Sequence, residues 1–173
     1  MTDSDDLVHG MSDPFALDRR AANPLFAQIN LQVLVDWREA DEMLLLHING
    51  LTTSQLGDIV THGAADHGDV WRPAWTGTLP VKTGIPVGYF GFGRGGTVCG
   101  SLTLCLAPRT ERTLTGTAFV EHDRIENQPP YRRYLCQIGG QYRDPLSPIE
   151  RFTLSTMRGT PFRIEAFSAI AIG

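Results

Sequence analysis

Lysine is nearly absent from this chain. Lys82 stands alone among fifteen cationic side chains, and the other fourteen, all arginine, are scattered rather than gathered into a stripe. With a formal net charge of -4, such a chain is not expected to bind nucleic acid. Long apolar runs are missing too: no stretch approaches the roughly 18 residues that a helix needs to cross a bilayer. The N-terminal residues are acidic where a secretory leader is basic and then apolar, so the expected setting is cytoplasmic, with no membrane partner. Cysteine is sparse. Cys99, Cys105 and Cys136 contain no C-x-x-C pair, and Cys99 and Cys105 fall in one expected strand. Their separation there is about 20 Å at ~3.3 Å per residue, against the ~5.5 Å that a disulfide spans, so these thiols read as small buried hydrophobes in a reducing compartment.

Catalytic signatures are missing as well. Ser101, Ser155 and Ser168 lie within expected strands, away from any Gly-x-Ser-x-Gly turn. His62, Asp66, His67 and Asp69 in 62-HGAADHGD-69 match no zinc or iron spacing and read as a solvated loop, so no metal is expected. Glu121 and His122 are neighbours in a strand and therefore point to opposite faces, which excludes an acid–base pair across one site.

What is present is a period of two. The 173 residues suit one domain with a single core. In 28-QINLQVLV-35, Ile29, Leu31, Val33 and Val35 alternate with Gln28, Asn30 and Gln32, and a strand is expected. Residues 36–50 allow a helix capped by Asp36 and Glu39 or a hairpin turn through WREADE, and the hairpin is preferred because the first strand needs a partner. Thr52 and Gln55 permit a short helix ending near Gly63. Pro80 and Pro86 place 74–81 and 85–92 at sheet edges or bulges. Residues 91–96 fit G-x-G-x-x-G, but a dinucleotide site needs a helix directly after the glycines. The following 97-TVCGSLTLCL-106 alternates as a strand, so the glycines read as a hairpin loop without nucleotide affinity. Further alternating segments over 112–123, 131–143, 151–157 and 162–172 are separated by Gly- and Pro-containing loops.

The expected fold is therefore all-β: a single antiparallel barrel of about eight strands over residues 25–173, with a β-sandwich as the alternative. Residues 1–24 form an acidic tail or a lid. Within it Pro14 favours a helical turn over 14–20 that presents Phe15 and Leu17 to a pocket.

Trp71, Trp75, Tyr89, Phe92, Phe119, Tyr134, Gln137, Tyr142 and Phe152 are the candidates for lining a barrel lumen that holds one small hydrophobic molecule. In overall plan, with an acidic N-terminal segment, about eight strands, aromatics and scattered polar groups, the chain resembles the small bacterial barrel cyclases of the allene-oxide-cyclase and spirotetronate-cyclase type. The resemblance implies a cofactor-independent enzyme that folds a flexible, polyketide-like substrate and closes a ring by intramolecular cycloaddition. On that reading Tyr89, Gln137 or Tyr142 donates a hydrogen bond to a substrate carbonyl, and the aromatics with Phe15 and Leu17 hold the apolar body. Two other readings stand beside it: a non-catalytic binder of a small molecule or sugar, and a structural oligomerising domain. Assembly into a homodimer is left open.

Overall fold

The structure, a computed structural model, describes residues 7–20, 22–36, 41–52, 54–64, 76–81, 83–91, 95–107, 112–122 and 133–173. These residues contain strand and no helix. In chain order the strands are β1 (Phe15–Ala16), β2 (Asp18–Arg19), β3 (Phe26–Val35), β4 (Glu42–Ile48), β5 (Gln55–Ala64) and β6 (Thr76–Val81). Then follow β7 (Ile85–Phe90), β8 (Gly96–Cys105), β9 (Arg112–His122), β10 (Arg133–Tyr142), β11 (Arg151–Thr156) and β12 (Phe162–Ile172). An eight-stranded sheet runs β2-β12-β3-β8-β9-β10-β5-β6, and a four-stranded sheet runs β1-β11-β4-β7. Every pairing is antiparallel except the short parallel contact of β2 with β12.

The all-β expectation holds, but the single barrel does not: the strands form two separate sheets in a sandwich-like arrangement, neither closed on itself. The reason lies in β4. All seven of its residues are buried, whereas a strand in a barrel wall has one face turned to solvent or lumen. Each long strand of the small sheet is an excursion from the large one, with β4 between β3 and β5, β7 between β6 and β8, and β11 between β10 and β12. Two expected hairpins are corrected by this path. β3 pairs with β8 and β12, not with β4, and the glycine-rich segment joins β7 in one sheet to β8 in the other. Gly95 belongs there because a Cβ would lie 2.6 Å from the Val35 carbonyl oxygen. A strand, not a helix, follows these glycines.

Both short helices expected from the sequence are also strand. Residues 55–64 pair along their whole length with β10, where the alternating Ile59 and Thr61 are buried. Residues 15–19 divide between the sheets: Phe15 is opposite Phe152 on β11, and Asp18 is opposite Ile170 on β12. Leu17, between them, is 7% exposed and belongs to the core, so the domain boundary expected at Leu25 is crossed. Upstream, the Ser12 amide donates to the Leu154 carbonyl, and Ser12 Oγ accepts from the Leu154 amide at 2.9 Å. The extended backbone is favoured because β11 and β12 have unpaired edge groups to satisfy. Pro80 and Pro86 do sit on terminal strands of their sheets, as expected.

The core lies between the sheets. Ile29, Leu102, Leu104, Leu114 and Ile59 from the large sheet meet Leu44, Leu46, Ile48, Phe90, Phe152 and Leu154 from the small one. The sheets approach most closely where side chains are missing. Gly57 and Gly140 are register partners, and Ile85 of β7 lies over both. A Cβ on Gly140 would come within 2.6 Å of Ile85 Cγ2.

Two stability measurements follow from this packing. Gly140→Ala is expected to cost roughly 2 kcal/mol in urea denaturation, because overpacking a filled core costs about 1–3 kcal/mol. Gly139→Ala, whose added carbon meets only the Asp58 carboxylate at 3.3 Å, should cost less. Equal effects would mean that the sheets are not in contact at Gly140. Leu17→Ala is expected to cost roughly 2–3 kcal/mol, whereas Arg20→Ala, which removes an exposed pair with Asp18, should change stability by less than about 0.5 kcal/mol. An unchanged Leu17→Ala midpoint would show that residues 15–19 do not belong to the core.

Candidate functional site

The described candidate residues from the sequence do not converge on one lumen. Trp71, Trp75 and Phe92 lie outside the described residues, and Tyr134 is placed only by its backbone in β10. Phe119 and Gln137 are on the face of the large sheet turned away from the small sheet, with exposed Thr115, Thr117 and Ser101 around them. Tyr142 is five residues beyond Gln137 in the same strand, so it points the other way and is buried. Tyr89 donates to Asp41 at 2.7 Å. Phe15 and Phe152 do come together, at the seam between the sheets: Phe15 stacks on Phe167 at 4.4 Å, and Phe152 lies 6.2 Å from the same ring. A shallow cleft of about 230 Å³ opens beside this stack, between Phe15, Asp18, Arg20 and Ser168.

A larger cavity, of about 440 Å³, lies where the segment after β2 passes the ends of β8 and β9. Its walls are Arg19, Ala22, Asn23, Pro24, Leu25, Leu106, Arg112, Pro148 and Ile149. The Leu25 and Leu106 wall is fixed by a hydrogen bond from the Leu106 amide to the Leu25 carbonyl at 2.8 Å. The opposite wall is made by the loop 143-RDPLSPI-149. The Asp144 carboxylate accepts from the Ser147 hydroxyl and from the Ser147 and Leu146 amides, an Asx turn that fits the Asp-Pro-Leu-Ser-Pro sequence. Those three bonds, with the Arg112 charge adding to them, hold its carboxyl down to about 2. The turn aims its carbonyls at Arg112, whose guanidinium donates to the Ser147 and Pro145 oxygens.

Arg112 is only 4% exposed, and its Nε has no partner among the described residues. A buried guanidinium is costly unless its donors are matched. Arg19, by contrast, is exposed and uses one nitrogen to donate to the Ile149 carbonyl at 2.6 Å. Tyr142 stands behind this wall. Asn49 donates both to the Tyr142 hydroxyl at 3.3 Å and to the Pro148 carbonyl at 2.9 Å. Asn49 has a φ of 56°, a left-handed conformation that asparagine tolerates better than most residues. Of the candidates read from sequence, Tyr142 alone is linked to this cavity through described hydrogen bonds. The arginines carried no local sequence signal, since two of fourteen scattered arginines meet only through the fold.

A second polar cluster was also not singled out by sequence. His47 Nε2 is 2.7 Å from Ser155 Oγ across the β4–β11 pair, on the face of the small sheet turned away from the large one. His47 Nδ1 and Thr153 Oγ1 are buried without partners among the described residues. Burial pushes the His47 imidazole below its usual range near 6.5, and the backbone of Thr83 offsets part of that. The imidazole is therefore neutral at neutral pH. Cys136 is pushed in the direction that burial dictates for an acid, up to about 12, and is an inert thiol. Among the described residues no group of three His, Cys, Asp or Glu side chains is placed to hold a metal ion, and no helix is long and apolar enough to cross a membrane.

His47 supplies a pH prediction. Below pH about 6.5 the unfolded chain takes up a proton at this histidine that the folded protein resists, so stability falls as pH drops through that value toward the lower folded pKa. The difference in melting temperature between the wild type and His47→Gln should shrink between about pH 7.5 and about pH 5.5. A constant difference would mean that His47 does not titrate below its usual range.

No family model, curated protein or solved structure matches this chain.

Proposed function

We propose that the protein binds a small, largely apolar, polyketide-like molecule in the cavity of about 440 Å³ at the end of the sandwich and promotes ring closure within it, without a cofactor. One observation supports this reading: apolar walls and cationic hydrogen-bond donors converge on a space within the roughly 300–1,000 Å³ range of small-molecule sites. The ligand space is an end cavity rather than a central lumen, because the region between the sheets is filled by packed side chains.

The cavity lining supplies donors from Arg19, Arg112 and Asn23, and among the described residues it contains no serine, cysteine, histidine or carboxylate. Chemistry in such a site rests on shape. Binding holds a flexible chain with its reacting carbons in contact, and a guanidinium polarises a conjugated carbonyl. The barrier to an intramolecular cycloaddition falls for both reasons, and no proton needs to move. The same lining also favours a second reading, a non-catalytic carrier, because rigidly anchored arginines on apolar walls bind equally well without turnover.

One experiment separates the two. A linear polyene ester with a tethered dienophile is incubated with the wild type and with Leu106→Trp, which fills the cavity. Chromatography follows conversion to the cyclised isomer, and calorimetry follows binding. Ring closure accelerated at least about tenfold by the wild type and lost in Leu106→Trp is the expected result. Saturable binding without acceleration would leave the carrier, and no binding would sink both readings.

A further inference from the structure

We infer that the end cavity selects its ligand by a carboxylate, held by Arg19 while the apolar body lies against Leu25, Leu106 and Ile149; this rests on the reading of the cavity as the ligand site. The argument starts from charge. The chain carries a net charge of -4, yet among the described residues this cavity is lined by two guanidiniums and no carboxylate. Ion pairs elsewhere, Arg20 with Asp18 and Arg163 with Glu165, neutralise their arginines. Among the described residues neither Arg19 nor Arg112 has such a partner. Asp144 is the acid that feels Arg112, and its oxygens are already engaged by Ser147 and Leu146. Among the described residues the positive charge of the cavity wall is therefore met by carbonyl dipoles and, for Arg112, by the field of Asp144, with no carboxylate paired directly to either guanidinium.

The two arginines play different parts. Arg112 is buried and fixed by the Pro145 and Ser147 carbonyls, so it sets the potential of the cavity and holds its loop. Arg19 is exposed and anchored through a single nitrogen on Ile149, which leaves the remaining donors of its planar fork for a ligand. That geometry suits a carboxylate accepting two parallel N–H bonds. The surroundings fit an amphipathic acid. Leu25, a wall residue, is 51% exposed, and Leu146, on the loop that carries Pro148, is 78% exposed. Phe26 and Ile172, opposite each other in the register beside Leu25, are also exposed. An apolar chain leaving the cavity would cover these side chains, each of which is otherwise in contact with water.

Isothermal titration calorimetry with decanoate and with its methyl ester tests this on the wild type, Arg19→Gln and Leu106→Trp, at low and high salt. Decanoate should bind the wild type about tenfold more tightly than the ester, in line with one charge-assisted bidentate contact. Arg19→Gln should bring the acid down to the affinity of the ester. Salt should weaken the acid alone, because Arg19 is exposed to counterions. Equal binding of acid and ester to the wild type, independent of salt, overturns the carboxylate inference while leaving the cavity as the ligand site. If neither molecule binds, or Leu106→Trp weakens neither, the ligand site itself is overturned. Arg112 is left intact in these variants because its loss would release the loop that forms the wall.

Discussion

The close approach of the two sheets at Gly57 and Gly140 governs most of what else the molecule does. Ile85 sits where two side chains would otherwise stand, so β7 presses onto the large sheet with no room for a layer of solvent or ligand. Inward of that contact the space is filled by packed apolar side chains, mostly Leu, Ile, Val and Phe. Space for a ligand is thereby displaced to the margins, where strands end and loops supply the walls. A lumen of the kind that a closed barrel offers requires the opposite choice, with bulky residues on the wall and space at the axis.

The cavity at the end inherits its character from the loops that make it. Asp144 folds its own turn, the turn aims carbonyls at Arg112, and Asn49 ties the same loop to β4 and to Tyr142. The carbonyls so aimed satisfy a guanidinium that would otherwise be buried alone. The buried carboxylate of Glu42 performs the same service at the other junction, accepting from the Arg158 and Thr160 amides and the Thr160 hydroxyl between β11 and β12. Both links use a side chain from the small sheet to fix a connection into or out of it.

The strand content was readable because alternation is a local property: β3, β8 and β9 carry it almost without error, and Leu114, Ala118 and Val120 are buried where alternation places them. The assignment of strands to sheets was not readable, because the decision is made by contacts distant in sequence. In 42-EMLLLHI-48 the signal was present in another form, since an apolar run without alternation is what a strand buried on both faces needs. The helical turn suggested by Pro14 gave way because the edges of β11 and β12 offer hydrogen bonds that a short isolated helix cannot equal. Tyr142 and Phe152, expected to line a lumen, are instead buried in the packed core, because which face a strand turns inward is decided by partners distant in sequence. The cavity arginines were invisible for the same reason that the hairpins were misassigned: Arg19 and Arg112 are brought together by a loop at 143–149 that neither adjoins in sequence.

The passage of residues 15–19 from one sheet to the other has a bearing on self-association. β1 covers the outer edge of β11 and β2 covers that of β12, so a single strap of chain caps both sheets at once. An uncovered strand edge is a template on which another chain can build. Because one segment masks two such templates, peeling it away uncovers them together, side by side and with Phe152 and Phe167 newly bare between them. The protein's resistance to forming ordered aggregates at these edges then depends on how firmly this strap, which Val8, Met11 and Ser12 extend along β12 and β11, holds on through Leu17 and its edge hydrogen bonds.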